Sequence, residues 1–137
     1  MLELGFCGDD CSACPRYIAT QSGSRERLKE VAEMWWRAGW RDTIVSPDEM
    51  VCGGCASVKW CRYDEIRKCA REKRIGNCGQ CYDYPCAKIT KVFEQTESYA
   101  ETCKERVSKE DYECFHKAFF SKRERLHRIN NEYLGGQ

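Results

Sequence analysis

Apolar residues recur at helical spacing soon after the first cysteines of the chain. Residues 24–40 carry them at the i, i+3, i+4 and i+7 positions that are typical of an amphipathic helix. These positions are Leu28, Val31, Ala32 and Trp35, and Trp36 and Trp40 continue the neighbouring row. A tryptophan-rich face can form a ligand platform, but tryptophan is mostly buried in folded proteins, so we interpret this stripe as core.

Capping residues mark the other helices. The run Ser46-Pro47-Asp48-Glu49 has the form of a capping box with proline at the first helical position, and it predicts a single turn. Residues 63–74 are predicted to form a helix that ends at Gly76, and a further helix begins at Pro85. Ser108 starts a last helix that runs to about Asn130. Its inward side carries Tyr112, Phe115, Phe119 and Leu126.

No segment shows the two-residue alternation of a half-buried strand. The pattern therefore predicts a mainly α fold, in which helices are connected by cysteine knuckles in a small, irregular, metal-stabilised domain. We expect residues 1–100 to form a cysteine-rich metal-binding domain and residues 101–134 to form a C-terminal helix packed on it. The two parts are expected to make a single structural unit, since 137 residues are one domain's worth of chain.

Composition and charge argue against several classes of partner. Charged residues make up 33% of the chain and the mean hydropathy is −0.73. The formal net charge of +1 gives no basic excess for nucleic-acid binding. No stretch approaches the roughly 18–20 apolar residues of a membrane span. We therefore expect neither a nucleic-acid partner nor a membrane partner.

The first ten residues, MLELGFCGDD, have neither the basic region nor the apolar region of a signal peptide. We therefore expect a cytoplasmic protein. In a reducing cytoplasm, clustered cysteines are more often metal ligands than disulfide partners.

The chain has 12 cysteines, a content near the level of disulfide or metal scaffolds. Ten of them lie in clusters along the first two-thirds of the chain. Cys103 and Cys114 stand apart, and we interpret these two as buried thiols that bind no metal.

Two C-x-x-C pairs carry the strongest metal signal. Each of the segments Cys52-Gly53-Gly54-Cys55 and Cys78-Gly79-Gln80-Cys81 places two sulfurs on one tight turn. The pairs are separated by 22 residues, near the spacing of zinc sites, and four such thiolates form a tetrahedral structural zinc site. We therefore group these four cysteines in one site. A second site would contain Cys7, Cys11 and Cys14 with a fourth ligand from Cys61, Cys69 or Cys86. Two zinc ions are expected, or three if a carboxylate or histidine completes another set.

The C-x3-C-x2-C spacing of Cys7, Cys11 and Cys14 is also similar to the motif by which radical-SAM enzymes hold a [4Fe–4S] cluster. Those enzymes need a large barrel domain, which 137 residues cannot provide. A small iron–sulfur carrier fits a chain of this length, because cysteine thiolates hold such clusters at several spacings. Zinc is the cofactor that we expect, and an iron–sulfur cluster is the alternative.

Three longer motifs resemble a known family. The segments CGDDCSACPRYIAT, CGGC and EIRKCAREKRIGNCGQCYDYPCAKI are together similar to the cysteine-rich domain of unknown function 3795, over about residues 7–93. The resemblance implies metal binding through cysteines and no established activity. By position, the implied metal ligands are Cys7, Cys11, Cys14, Cys52, Cys55, Cys61, Cys69, Cys78, Cys81 and Cys86.

The chain departs from this family just before the IRKCA segment. Relatives often carry a further cysteine there, where this chain has Tyr63-Asp64-Glu65. Either a ligand is lost, or an oxygen of Asp64 replaces it. The number of metals therefore stays open.

No catalytic apparatus is recognisable. His116 and His127 lie on nearly one face of the last predicted helix, and we interpret them as ordinary helix residues rather than ligands. Asp9 and Asp10 fit helix capping or solvent contact better than an acid–base pair. A basic stretch on the last helix fits a solvated face better than a surface for RNA or an acidic partner. It consists of Lys117, Lys122, Arg123, Arg125 and Arg128.

These observations favour a non-enzymatic zinc-binding domain whose structural metal orders the knuckles. Its helices would then serve as an interaction or accessory module for a protein partner. The alternatives are a small iron–sulfur electron carrier, a redox-switched thiol protein and a hydrolase with catalytic zinc.

Overall fold

The computed structural model describes residues 4–54 and 62–135. In this part of the chain there is no strand, only an isolated bridge between Leu4 and Asp10, so the predicted mainly α class is confirmed. The α-helices are Pro15–Ser22 (α1), Arg25–Arg37 (α2), Asp64–Lys73 (α3), Ala87–Arg106 (α4), Lys109–Phe115 (α5) and Lys122–Gly135 (α6). Short 3-10 turns cover Cys11–Ala13, Pro47–Met50 and Cys78–Gln80, and a π-helical segment covers His116–Phe120.

The helix predicted over 24–40 is observed as α2. Ser24 begins it, because its hydroxyl accepts the amide hydrogen of Arg27 at an N···O distance of 3.2 Å. The helix ends at Arg37, earlier than predicted, and Gly39 then takes a φ of +82° that favours glycine. This turn brings Trp40 edge-on to Trp35, with ring centroids 5.2 Å apart.

The apolar face of α2 packs into a first hydrophobic cluster. Its buried residues from α2 are the four predicted by the helical spacing, Leu28, Val31, Ala32 and Trp35. They pack with Met50, Cys103, Phe115 and Ala118, which have no exposed surface. Trp36 is 47% exposed, so the tryptophan stripe is core at Trp35 and surface one residue later.

A second hydrophobic cluster lies around the start of α4. It consists of Cys7, Ile66, Ile89, Val92, Phe93 and Leu126. Helix α4 connects the two clusters, because Phe93 near its start belongs to the second and Cys103 near its end belongs to the first. The middle of α4 therefore lies between the clusters.

Helix α3 matches the prediction over 63–74 but ends differently. Its left-handed C-cap is Arg74, with a φ of +58°, and not Gly76. The amide hydrogen of Ile75 bonds back to the carbonyl of Ala70 at 3.0 Å and closes the last turn. Helix α4 starts at Ala87, two residues after Pro85, with Cys86 at its N-cap.

The last helix is not continuous as predicted, because the π-helical segment His116–Phe120 separates α5 from α6. Carbonyl groups of this segment accept hydrogen bonds from elsewhere in the fold. The amide of Asp10 donates to Ala118 O at 2.8 Å, and Arg125 Nη2 donates to Lys117 O at 3.0 Å. The interruption therefore ties this part of the chain to the N-terminal cysteine segment. The predicted inward residues are confirmed, with Phe115 and Leu126 fully buried and Tyr112 and Phe119 partly buried.

Candidate functional site

Three of the predicted cysteines line a cavity of about 180 Å³, which we call the larger cavity. These are Cys11, Cys14 and Cys52. The turn that carries Cys11 is capped by Asp10, whose carboxylate accepts the amide hydrogen of Ser12 at 3.0 Å. The amide of Cys52 donates to Thr20 Oγ1 at 2.9 Å, which holds the Cys52 segment against α1.

Burial raises the pKa of the Cys14 thiol to about 12, and the nearby Cys52 and Cys11 raise it as well. Backbone hydrogen bonds from Tyr17 and Arg16 act in the opposite direction but are weaker. At neutral pH Cys14 is therefore a protonated thiol unless a cation lies beside it.

Within residues 4–54 and 62–135, four cationic side chains share the larger cavity with one carboxylate, that of Asp9. The cations are Arg16, Arg41, Arg62 and Lys122. Burial, and then the charges of Arg16 and Arg62, lower the pKa of the Arg41 guanidinium. Like charges are thus close enough to affect one another in this wall.

Lys122 is a buried residue and not part of a solvated face, which corrects the interpretation of the basic stretch at this position. Its side chain is 3% exposed, and its Nζ lies 2.8 Å from Asp9 Oδ1. The ammonium also lies 4.5 Å from the ring centroid of Tyr63. Burial is the largest single influence and lowers the pKa of Lys122, but the interactions with Asp9, Cys7 and Tyr63 together outweigh it and the net pKa is raised. Lys122 is therefore charged at neutral pH.

Four other predicted cysteines line a second, smaller cavity of about 20 Å³. They are Cys69, Cys78, Cys81 and Cys86, and none of them is joined in a disulfide. Cys69 comes from α3, Cys78 begins a 3-10 turn whose C-cap is Cys81, and Cys86 is the N-cap of α4. Asn77 shapes that turn, because its side chain accepts the amide hydrogen of Gly79 at 2.9 Å.

The sulfur of Cys81 accepts two hydrogen bonds. Lys73 Nζ lies 3.1 Å from it, and the amide nitrogen of Asp83 lies 3.4 Å from it. Lys73 also pairs with the Asp83 carboxylate at 2.8 Å. Burial raises the pKa of the neighbouring Cys78 to about 12, and Cys86, Cys69 and Cys81 raise it as well.

The cysteines therefore group differently from the pairing expected from their spacing. Cys52 lies in the larger cavity, whereas Cys78 and Cys81 lie in the smaller one. The cause is tertiary, since Cys52 is held to α1 by Thr20 while Cys78 donates its amide hydrogen to Phe6 O at 3.0 Å. Cys55 and Cys61 lie outside the described residues.

Cysteine thiols are suitable zinc ligands, but the side chains are not positioned as a ligand set. In residues 4–54 and 62–135, no group of three or more cysteine, histidine, aspartate or glutamate side chains is placed to hold a metal ion. Asp64, the suggested oxygen ligand, is instead paired with Arg67 and Lys68, at 2.7 and 3.2 Å. The thiols line common cavities but do not form a closed ligand set.

The remaining described candidates line neither cavity. Cys7 is buried in the second cluster, and Cys103 is buried in the first. The histidines have different surroundings, because His127 hydrogen-bonds Tyr84 whereas His116 lies beside Tyr112 and Ser121. The π-helical segment between them breaks the common face that an uninterrupted helix would give.

Sequence reasoning missed the cationic wall of the larger cavity. Arg16 directly follows a predicted ligand motif, but Arg41 lies in a segment without helical or cysteine pattern. Nothing in the local sequence signals that Arg16, Arg41 and Arg62 lie around one cavity. Their proximity depends on how α1, α2 and the segment before α3 pack.

None of the helices within the described ranges combines the length and apolar character needed to cross a membrane. No curated protein and no solved structure matches the chain. A family model described as a protein of unknown function (DUF3795) matches residues 3–91, which include all ten predicted ligand cysteines. This match covers well over half of the chain and agrees with the resemblance noted in the motifs, so the chain belongs to this family.

Proposed function

We propose that this protein is a zinc-binding domain in which cysteine-bound metal stabilises the fold. The observation that carries the proposal is the smaller cavity, where Cys69, Cys78, Cys81 and Cys86 come together from three separate elements. Four thiolates form a complete ligand set of structural zinc. The side chains must move to close that set, since the thiols are not placed as ligands in their present positions.

The surroundings of Cys81 support the same proposal. Its sulfur accepts hydrogen bonds from Lys73 and from the backbone of Asp83. Outer N–H donors of this kind orient metal-bound thiolates and stabilise their charge. Without a cation, the raised pKa of Cys78 keeps its thiol protonated at neutral pH. Zinc binds the thiolate, so zinc binding at this cavity would release protons.

The larger cavity supports a second metal position. Cys11, Cys14 and Cys52 supply three thiols there, and no fourth cysteine is among the described residues that line the cavity. Cys55 is three residues from Cys52 in the sequence and completes the C-x-x-C pair, so we propose it as that ligand. Two zinc ions per chain follow.

We further propose that the domain acts as an accessory or interaction module in the cytoplasm. The support is the exposed apolar surface, since Trp36, Ile44 and Val51 are each about half exposed. Large exposed apolar side chains are common where a protein partner binds.

The test is elemental analysis of the full chain purified without oxygen, beside its absorbance spectrum. We expect two zinc ions per chain and no visible band. Cys78→Ser and Cys81→Ser are each expected to lose one zinc ion and to unfold at lower temperature. Cys114→Ser is the matched control, because Cys114 is partly buried outside both cavities, and it should keep both ions.

Iron with acid-labile sulfide would replace this proposal with the iron–sulfur alternative. Equal zinc content in all three variants, or no bound metal in the wild-type chain, would refute metal binding at the smaller cavity.

A further inference from the structure

We propose that the larger cavity binds a small organic anion, with a body the size of one aromatic ring and a carboxylate or phosphate group. Charge is the first observation. Among the described residues, the cavity wall carries three guanidinium groups and one ammonium against a single carboxylate. That carboxylate, Asp9, already pairs with Lys122. Glu49 is exposed outside the wall and affects Arg41 less than Arg16 and Arg62 do. A four-thiolate zinc in the same cavity would offset two of the three guanidinium charges, so one positive charge is left for an anion.

The three guanidinium groups have no carboxylate in ion-pair contact within the described ranges. Arg16 donates to the carbonyls of Glu49, Met50 and Val51 at 3.1–3.4 Å. Arg62 lies over the ring of Tyr99, 4.7 Å from its centroid. Bringing like charges together is unfavourable unless an anion neutralises them, and guanidinium groups hold carboxylate and phosphate with strong paired hydrogen bonds.

Of the three arginines, Arg41 is the one to which we assign the largest number of unused N–H donors. Its one hydrogen bond runs from Nη1 to Trp40 O at 3.1 Å, and a guanidinium has five N–H donors. It is also partly buried, so water competes less for those donors than it does at Arg62, which is exposed. We therefore assign Arg41 as the main anchor of the anionic group.

Aromatic rings form the rest of the wall and set the size of the ligand. They belong to Trp35, Trp40, Tyr63, Tyr99, Phe119 and Phe120. A volume of about 180 Å³ exceeds the roughly 150 Å³ of an engineered cavity that binds benzene. It is smaller than the roughly 300–1,000 Å³ of sites for drug-sized ligands. One ring with one charged group fits these limits, and a dinucleotide does not.

The test is calorimetric titration of the full chain, as purified, with benzoate, phenyl phosphate, inorganic phosphate and benzamide. We expect saturable binding of benzoate or phenyl phosphate, and which of the two binds more tightly identifies the anionic group. Inorganic phosphate lacks the ring and benzamide lacks the charge, so both are expected to bind at least ten-fold more weakly.

Arg41→Met is expected to weaken the binding of the preferred probe at least ten-fold while zinc content stays unchanged. Arg27→Met is the matched control, because Arg27 is exposed on α2 outside the cavity, and it should bind like the wild-type chain. Absence of saturable binding by either anionic probe would overturn the proposal, as would equal binding of benzamide. Loss of zinc in Arg41→Met without anion binding to the wild-type chain would show instead that the arginines neutralise metal-bound thiolates.

Discussion

Single charged residues of this protein take their roles from their neighbours rather than from their sequence context. Lys122 lies in a basic stretch, yet it is almost fully buried beside Asp9 and Tyr63. Asp10, the next residue along from Asp9, caps the turn that carries Cys11. Two adjacent aspartates thus hold the N-terminal cysteine segment in different ways, one by a buried ion pair and one by a backbone cap.

Replacing Lys122 is expected to destabilise the fold strongly. Lys122→Met leaves the Asp9 carboxylate without its partner, and breaking a buried pair in this way costs about 3 kcal/mol or more. Arg25→Met is the control, because the Arg25–Asp48 pair is mostly exposed and is worth less than about 1 kcal/mol. Urea unfolding of the three proteins measures the difference. Similar losses in both variants would contradict a buried pair at Lys122.

Cys103 is expected to make the protein less stable in alkali. Burial in the first cluster raises its pKa to about 11 from the ordinary value of 9.0, so folding favours the protonated thiol. The stabilisation that comes from the protonated Cys103 thiol is complete below pH 9 and is lost as the pH rises toward 11. The reason is that Cys103 loses its proton at a lower pH in the unfolded chain than in the folded one. The free energy of unfolding should therefore fall more steeply with pH in the wild-type chain than in Cys103→Ala. Parallel pH profiles of the two proteins would show that Cys103 does not titrate in this way.

At the scale of elements, helix α6 holds both cysteine segments although it lies beyond the residues matched by the family. Arg125 near its start donates to Gly8 O, and Asn130 near its end donates to Gly79 O at 3.0 Å and to Cys81 O at 3.3 Å. Leu126 and Ile129 pack against the same two glycine-containing turns. The last helix thus acts as a clamp across the two knuckles.

The turn at Gly8 is expected to tolerate no side chain. Gly8 has a φ of +95°, and a Cβ atom there would lie 2.7 Å from Leu126 Cγ. Gly8→Ala should therefore cost about 3 kcal/mol, from backbone strain together with overpacking against α6. Gly23→Ala is the matched control, with a φ of +70° and no atom within 4 Å, and should cost only about 1 kcal/mol. Thermal unfolding of both variants would show the difference, and equal melting temperatures would mean that α6 does not press on Gly8.

The hydrogen bonds of Asn130 are expected to preserve the smaller cavity. Asn130→Ala removes both bonds to the turn around Cys78 and should cost about 1–2 kcal/mol. We also expect zinc to leave this variant faster in the presence of a chelator. Asn131→Ala is the control, since Asn131 is exposed on the same helix. An unchanged rate of zinc release in Asn130→Ala would show that the bonds from α6 do not stabilise the metal site. The proposed division into residues 1–100 and 101–134 stays a prediction.

On the scale of the whole molecule, two hydrophobic clusters share their helices. Helix α4 runs from the second cluster to the first, and the π-helical segment and α6 return from the first to the second. The larger cavity lies where these elements pass each other, with Thr96 and Tyr99 of α4 in its wall. Neither cluster can therefore open without moving an element that the other cluster also uses.

The two clusters are expected to unfold in one transition. Phe93→Ala empties part of the second cluster and should cost about 3–5 kcal/mol. Because α4 is shared, the same variant should lower the midpoint seen by tryptophan fluorescence, to which Trp35 and Trp40 in the first cluster contribute. In each of the two proteins, far-UV circular dichroism should give the same midpoint as fluorescence. Separate midpoints for the two signals would show that the clusters unfold independently.

Local patterns in the sequence determined where most helices form, the serine cap of α5 and the motifs of the family. The spacing of Leu28, Val31 and Trp35 and the capping serine at position 108 act within a few residues, so they can be read from the chain alone. Only the tertiary structure decided the position of Cys52 apart from Cys78, the burial of Lys122 and the grouping of Arg16, Arg41 and Arg62. The interruption of the last helix belongs with them, because the amide of the distant Asp10 donates a hydrogen bond to a carbonyl of the interrupted segment. These features depend on contacts between residues far apart in the chain, and no local pattern encodes which distant partner a thiol or a charge will meet.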